Sequence, residues 1–218
     1  MEENSPKITL LQAARWPLYI LMVMWILEVA KHILGIQTAE YGILPRYFSG
    51  LKGIITGPFI HGSFGHLLNN SVPFLVGATI IIYFYQRISL LAISLIWILT
   101  GALVWFFAKT AFHIGASGVV YGMISFIFWA GFFNRDRQSI VLSLVILFIY
   151  SGMFYGVLPN QPGVSWESHL LGGLVGILVA FLLRSPKVED EPWDEEPPKY
   201  FFKEDTFEDQ PNYWNRWL

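Results

Sequence analysis

The chain has 218 residues, of which 54% are hydrophobic and only 14% are charged, whereas charged residues make up about 25% of an average soluble domain. Lipid is therefore the expected solvent, and the near balance of 14 basic and 16 acidic residues leaves no basic field that would hold nucleic acid. The absence of cysteine excludes disulfides, thiolate metal sites and a cysteine nucleophile.

Six apolar stretches predict six transmembrane helices, because each is close to the roughly 20 residues that a spanning helix needs. They lie at about residues 16–34, 67–85, 89–108, 117–133, 139–157 and 167–184. Residues 1–15 precede this membrane domain, which covers 16–184. The Gly- and Pro-containing loop at about 35–66 is too polar to span, and we expect it to lie at the interface or to re-enter partly. The predicted fold is an all-α polytopic membrane protein with a long first loop.

Residues 185–218 differ in composition from the membrane domain, since they contain ten acids, five prolines and eight aromatic residues. We expect an extramembrane tail that binds an unidentified partner or the membrane surface. The predicted membrane face that carries both chain termini has seven Lys and Arg residues near the helix ends, and the opposite face has four. The positive-inside rule therefore predicts cytoplasmic termini in a bacterial-type inner membrane.

Strongly polar residues occur at the beginnings of three predicted helices. Polar side chains within a membrane are energetically costly, so each of these residues is a functional candidate. His66 and Asn70 begin the second helix, Ser117 the fourth and His169 the sixth. Alternating topology puts these three beginnings on one side, so they can share a cavity. Ser117 lies at a helix amino terminus, which favours the negative charge that develops in acyl transfer. Asn70 follows His66 by one turn, so both could supply further hydrogen-bond donors.

Small residues at four-residue spacing predict that the fourth and sixth helices pack closely in lipid. These residues are Gly118 and Gly122 on one helix and Gly172, Gly176 and Ala180 on the other. Because His169 precedes Gly172 by three residues, the same contact brings the imidazole to Ser117, for which it is a suitable base. Tyr121, one turn after Ser117, could support the imidazole ring as the third member of a triad would.

Simpler interpretations exist for each of these features. Stripes of small residues commonly join membrane helices without any catalytic role. A histidine at a helix start is commonly a satisfied interfacial residue, and His61 is either interfacial or part of the chemistry. His113 is either a loop residue or a rival base, since it lies one turn before Ser117. The combination of residues, rather than any one of them, favours catalysis.

Together these motifs resemble a rhomboid protease. The resemblance rests on His61-x4-His66-x3-Asn70, on Gly115-x-Ser117-Gly118 with Tyr121, and on His169-x2-Gly172-x3-Gly176. It implies a six-helix rhomboid-like bundle in which Ser117 is the nucleophile and His169 the general base. Asn70, His66 and the Ser117 backbone N–H would form the oxyanion hole. It further implies cleavage of single-span membrane proteins without metal, ATP or another cofactor.

Other protein classes fit the sequence less well. A metal-dependent intramembrane protease would need His-Glu-x-x-His, but the chain has no His-Glu pair. An aspartyl protease would need two membrane-embedded Asp residues, and every Asp from Asp136 to Asp209 lies in a loop or the tail. The alternative is a non-enzymatic rhomboid-like protein that binds client helices. A six-helix transporter is more remote, because no inverted repeat is evident.

Overall fold

The computed structural model describes residues 8–159 and 165–184. Over these residues the regular structure is helical, apart from one isolated bridge between Ile43 and His113. The seven α-helices are α1 (Leu10–Leu34), α2 (Gly53–Thr56), α3 (Phe64–Phe84), α4 (Ser89–Phe107), α5 (Ser117–Asn134), α6 (Arg137–Tyr150) and α7 (Trp166–Leu182). The predicted acidic tail lies outside the described residues.

Six of the helices correspond to the six predicted spans, and α2 is a short additional helix inside the first loop. The helices α1, α3, α4 and α5, and α6 continued by the 3-10 segment Ser151–Val157, are long and apolar enough to cross a membrane. At 17 residues α7 is shorter, although it is equally apolar in character. The predicted all-helical polytopic fold is therefore confirmed.

Two helices begin before their apolar runs because polar side chains cap them. The first starts at Leu10 rather than near residue 16, since Thr9 and Gln12 form a reciprocal capping box with bonds of 2.7 and 3.2 Å. The second long helix, α3, starts at Phe64, where the Ser63 hydroxyl accepts the His66 N–H at 3.1 Å. This cap places His66 in the first turn of α3.

Helix α5 occupies the centre of the bundle. Ten of its 18 residues are buried, and it packs against α3, α4, α6 and, most extensively, α7. The α5–α7 contact runs along the glycine stripes identified in the sequence, because a Cβ on Gly172 would collide with the Gly118 carbonyl and one on Gly176 with the Gly122 carbonyl. Two helices that carry Ser117 and His169 thus pack backbone against backbone.

The first loop packs along α4, where α2 makes its main contacts. The Trp97 indole donates to the Ile54 carbonyl at 3.0 Å. Arg46, a non-glycine residue with φ of 62°, donates from its guanidinium to the Ala108 carbonyl at 2.6 Å and to Thr110 at 2.7 Å. The guanidinium therefore satisfies carbonyl groups at the end of α4 and fixes the loop against that helix.

Candidate active site

The beginnings of α3, α5 and α7 border one cavity of about 900 Å³. Its lining includes the predicted site residues His66, Asn70, Ser117, Tyr121 and His169. The two helix amino termini at Ser117 and Trp166 point their unpaired N–H groups toward this end of the bundle. The structure thus brings together in one polar cavity the residues that the sequence marked on three separate helices.

The Ser117 hydroxyl and the His169 imidazole are within hydrogen-bonding distance. Ser117 Oγ lies 2.9 Å from His169 Nε2, and His169 Nδ1 lies 2.8 Å from the Gly156 carbonyl. A carbonyl only accepts, so Nδ1 must carry the proton and Nε2 presents its lone pair to the serine. This tautomer is the one that can take a proton from Ser117.

The imidazole is held by groups other than a carboxylate. Tyr121 stacks on His169 with ring centroids 4.1 Å apart and planes 7° from parallel, and its hydroxyl donates to the Met153 carbonyl at 2.7 Å. The 3-10 segment after α6 therefore supplies the Gly156 carbonyl to the imidazole and the Met153 carbonyl to its stacking partner. Sequence reasoning missed both carbonyls, since every residue type has one. Glu167 lies instead 3.8 Å from Lys109.

Hydrogen-bond donors approach the cavity beside Ser117 from α3. Gly115 has φ of 102°, and a Cβ there would lie 2.7 Å from His66 Nε2 and 3.5 Å from Asn70 Nδ2. Only glycine accommodates this conformation at such close approach. Asn70 Nδ2 is buried and has no hydrogen-bond partner among the described residues. A buried unpaired donor costs free energy, so this amide is available to an incoming oxygen.

His66 presents a second donor in the same place. The Gly62 N–H approaches His66 Nδ1 at 3.4 Å, so Nδ1 is the acceptor and Nε2 carries the proton. That Nε2–H faces Gly115. His66, Asn70 and Ser117, whose backbone N–H begins α5, all line the same cavity and together offer it three donors.

A family model described as the Rhomboid domain matches residues 49–186. This chain belongs to the rhomboid family. Uncharacterized proteins of Mycobacterium tuberculosis and Mycobacterium bovis are each 33% identical to it over 174 residues, which is 76% of this chain and 72% of theirs. An uncharacterized protein of Mycobacterium leprae is 28% identical over 179 residues. With its apolar helices, this rhomboid is an integral multi-pass membrane protein.

His113, the rival base, contacts a different serine in this rhomboid. Its Nδ1 lies 2.6 Å from Ser165 Oγ, and its Nε2 lies 2.9 Å from the Lys109 carbonyl. Both ring nitrogens are therefore occupied away from Ser117. The structure pairs His169, and not His113, with the predicted nucleophile.

His61 is buried behind the cavity, outside the spanning helices, with 1% of its surface exposed. The Ala116 N–H donates to its Nε2 at 3.5 Å, and the Lys31 ammonium, which also binds Glu28, donates to its carbonyl oxygen at 2.6 Å. Burial lowers the pKa of His61 to about 4, and His66 and Lys31 act in the same direction. The ring is thus neutral near pH 7 and braces the residue before Ser117.

The depressed pKa of His61 predicts that stability falls as the pH is lowered from about 6.5 to about 4. Between these pH values the imidazole of His61 is protonated in the unfolded chain but neutral in the folded chain. The folded state therefore has its full stability above about pH 6.5 and loses stability toward pH 4. The slope from one such group is at most about 1.4 kcal/mol per pH unit. Thermal unfolding in detergent at several pH values should show a smaller decline for His61→Gln than for wild type. Equal declines would contradict the account of His61.

Proposed function

We propose that this rhomboid is an intramembrane serine endopeptidase that cleaves transmembrane segments of other membrane proteins with Ser117 and His169. The observation that carries the proposal is the pair of hydrogen bonds on His169, 2.9 Å to Ser117 Oγ and 2.8 Å to the Gly156 carbonyl. These two bonds select the tautomer in which the imidazole can act as a base toward the serine.

In the proposed acylation step, Ser117 Oγ attacks the scissile carbonyl carbon while its proton passes to His169 Nε2. The imidazolium that forms keeps its Nδ1–H on the Gly156 carbonyl and its face on Tyr121. His169 then gives the proton to the leaving amine. Water, activated by the same imidazole, attacks the acyl-enzyme and releases the second product.

The negative charge on the carbonyl oxygen needs donors that are already in place. Asn70 Nδ2 lacks a partner in the described part of the chain, and His66 Nε2–H and the Ser117 N–H approach the same region. Such preorganised donors need no reorganisation when the charge develops, and one of them is worth about 10²- to 10³-fold in rate. The amino-terminal end of α5 adds its dipole.

The proposed substrates are limited by the hydrogen bonding of a spanning helix. Its carbonyls are internally bonded, and exposing them to hydrocarbon costs several kcal/mol each. A segment must therefore unwind locally before Ser117 can reach a carbonyl. The cavity of about 900 Å³ beside Ser117 has room for an unwound turn and polar lining side chains, such as Asn70 and His66, to bond its backbone. We expect cleavage near the outer end of the substrate helix, where unwinding exposes the least backbone to lipid.

Substrates that resist helix formation should be cut faster. Relative to Ala, Gly costs about 1 kcal/mol and Pro about 3 kcal/mol in a helix interior. A reporter helix with Ala at the cut and Gly-Pro one turn deeper should therefore be cleaved faster than a version with Leu at the two deeper positions. A third reporter with Phe at the cut tests the effect of side-chain size at that position independently of the effect of helix unwinding. Cleavage of reconstituted reporters is measured by mass spectrometry.

Equal cleavage of the Gly-Pro and Leu reporters would show that unwinding does not select substrates. Binding of all three reporters without cleavage would instead favour the non-enzymatic rhomboid-like alternative. The matched protein control is Ser117→Ala, which should bind the reporters and release no fragments.

A further inference from the structure

A second serine–histidine pair lines the same cavity and is not used by the proposed chemistry. His113, in the loop between α4 and α5, lies 2.6 Å from Ser165 Oγ, and Ser165 Oγ lies 2.7 Å from Ser168 Oγ. His113 is buried and so is Ser168. The pair thus connects the loop that leads to Ser117 with the first turn of the helix that carries His169.

The direction of each hydrogen bond in this group follows from one fixed acceptor. The Lys109 carbonyl, 2.9 Å from His113 Nε2, can only accept, so Nε2 carries the proton. His113 Nδ1 therefore accepts from the Ser165 hydroxyl, which leaves Ser168 to donate to Ser165. Each hydrogen bond in this series thus has a fixed donor and a fixed acceptor, so the contact is directional.

The Ser165 side chain binds His113 instead of capping α7. Ser165 is the residue before α7, where serine normally accepts an N–H of the first turn, but its side chain makes no such bond. Its carbonyl accepts the His169 N–H at 3.3 Å. Thus the residue whose side chain is bound by His113 is also the backbone acceptor for His169.

The other contacts between α5 and α7 constrain the first turn of α7 less directly, because the hydrogen bond from the Ser125 hydroxyl to the Gly173 carbonyl, at 2.7 Å, lies one turn beyond His169. The glycines at positions 118 and 172 set a close backbone approach through van der Waals contact, which restricts separation more than rotation or sliding. Lys109, in the loop before α5, lies 3.8 Å from Glu167 of α7, but the lysine is 60% exposed, and exposed ion pairs constrain geometry weakly. The directional, part-buried bond from Ser165 to the buried His113 is the stronger constraint on where the first turn of α7 points.

We infer that His113 is a positioning residue, which through Ser165 holds the first turn of α7 so that His169 Nε2 faces Ser117. This inference rests on the proposed function, since it assigns His113 a role in the same reaction. His113 does not touch the reacting atoms; it fixes the element that carries the base.

The variants that test this role differ in which bond they keep. His113→Asn retains an acceptor near the position of Nδ1, whereas His113→Leu has none and Ser165→Ala lacks the donor. A displacement of about 1 Å can cost on the order of 100-fold in rate, so we expect His113→Leu and Ser165→Ala each to lower kcat about 10- to 100-fold. Because they act as a unit, the double variant should be no worse. His113→Asn should recover most of the rate.

The pH dependence of cleavage distinguishes a positioning role from a catalytic one. The pH profile of kcat/KM should keep its shape in His113→Asn, whereas loss of a catalytic base would alter it. The matched control is Ser143→Ala, which removes a buried serine that donates to the Phe128 carbonyl at 2.7 Å at the α5–α6 contact. This control should leave kcat and the pH profile close to wild type.

A spectroscopic measurement does not depend on turnover. In ¹⁵N-histidine-labelled protein in lipid nanodiscs, the His169 Nδ1–H signal, assigned by its loss in His169→Ala, should shift in His113→Leu and Ser165→Ala but not in Ser143→Ala. An unchanged signal together with unchanged kcat would overturn the positioning role and leave the proposed function standing. If wild type shows no Ser117-dependent cleavage, the proposed function fails, and the His169 signal alone decides the role of His113.

Discussion

Ser117→Ala and His169→Ala should each reduce cleavage of a transmembrane reporter by on the order of 10⁴-fold or more while leaving the protein folded in the membrane. The alanine at 117 removes the proposed nucleophile, and the alanine at 169 removes the only imidazole within hydrogen-bonding distance of it in the described residues. If serine and histidine act as one unit, as proposed, the double variant should be no slower than either single variant. Initial rates in proteoliposomes, normalised to inserted protein, measure this.

Folding of each variant is checked by its thermal unfolding midpoint, since the Ser117–His169 hydrogen bond itself is worth only about 1 kcal/mol. Additive losses in the double variant would show that the two residues contribute independently. Full activity of Ser117→Ala would exclude the proposed mechanism altogether.

Gly172→Ala should nearly abolish cleavage, whereas Gly173→Ala should leave it intact. A Cβ at 172 would collide with the Gly118 carbonyl oxygen and lie 2.9 Å from its carbon, while a Cβ at 173 meets nothing within 4 Å. Backbone atoms cannot move aside cheaply, so α7 must separate from α5 and carry His169 away from Ser117. A displacement of about 1 Å would cost on the order of 100-fold in rate. Reporter cleavage and thermal unfolding are measured on both variants.

The two variants form a matched pair, because they place the same methyl group on adjacent residues of one helix. Alanine is a better helix former than glycine by about 1 kcal/mol, so Gly173→Ala should be as stable as wild type or slightly more stable. Similar activities of the two alanine variants would show that the backbone contact at Gly118 does not position the dyad.

Much of the fold was predictable because the membrane imposes length and composition on every spanning segment. The boundaries of α5 illustrate this, since the run predicted at 117–133 is a helix from Ser117 to Asn134. Caps moved other boundaries, as at Leu10, where a polar Thr9–Gln12 pair extends the helix beyond its apolar run. Hydropathy alone does not register such hydrogen bonds.

The candidate site was predictable where side chains alone define it and not where the backbone contributes. His66, Asn70, Ser117 and His169 could be grouped because helix starts alternate between the two sides of a membrane. The Gly156 carbonyl, which orients the imidazole, could not be found, because a carbonyl carries no residue-specific signal. The partner of His113 was equally hidden, since neither His113 nor Ser165 lies on the glycine stripes that brought His169 to Ser117.

The proposed activation of Ser117 is tested most directly with a fluorophosphonate probe, which reacts with a serine whose hydroxyl a neighbouring base activates. The probe is applied to the purified protein in lipid nanodiscs, to Ser117→Ala and to His169→Ala, and the labelled peptide is identified by mass spectrometry. We expect labelling of wild type at Ser117 and of neither variant. Equal labelling of wild type and His169→Ala, or labelling that persists in Ser117→Ala, would contradict the assignment of Ser117 and His169 as a catalytic dyad.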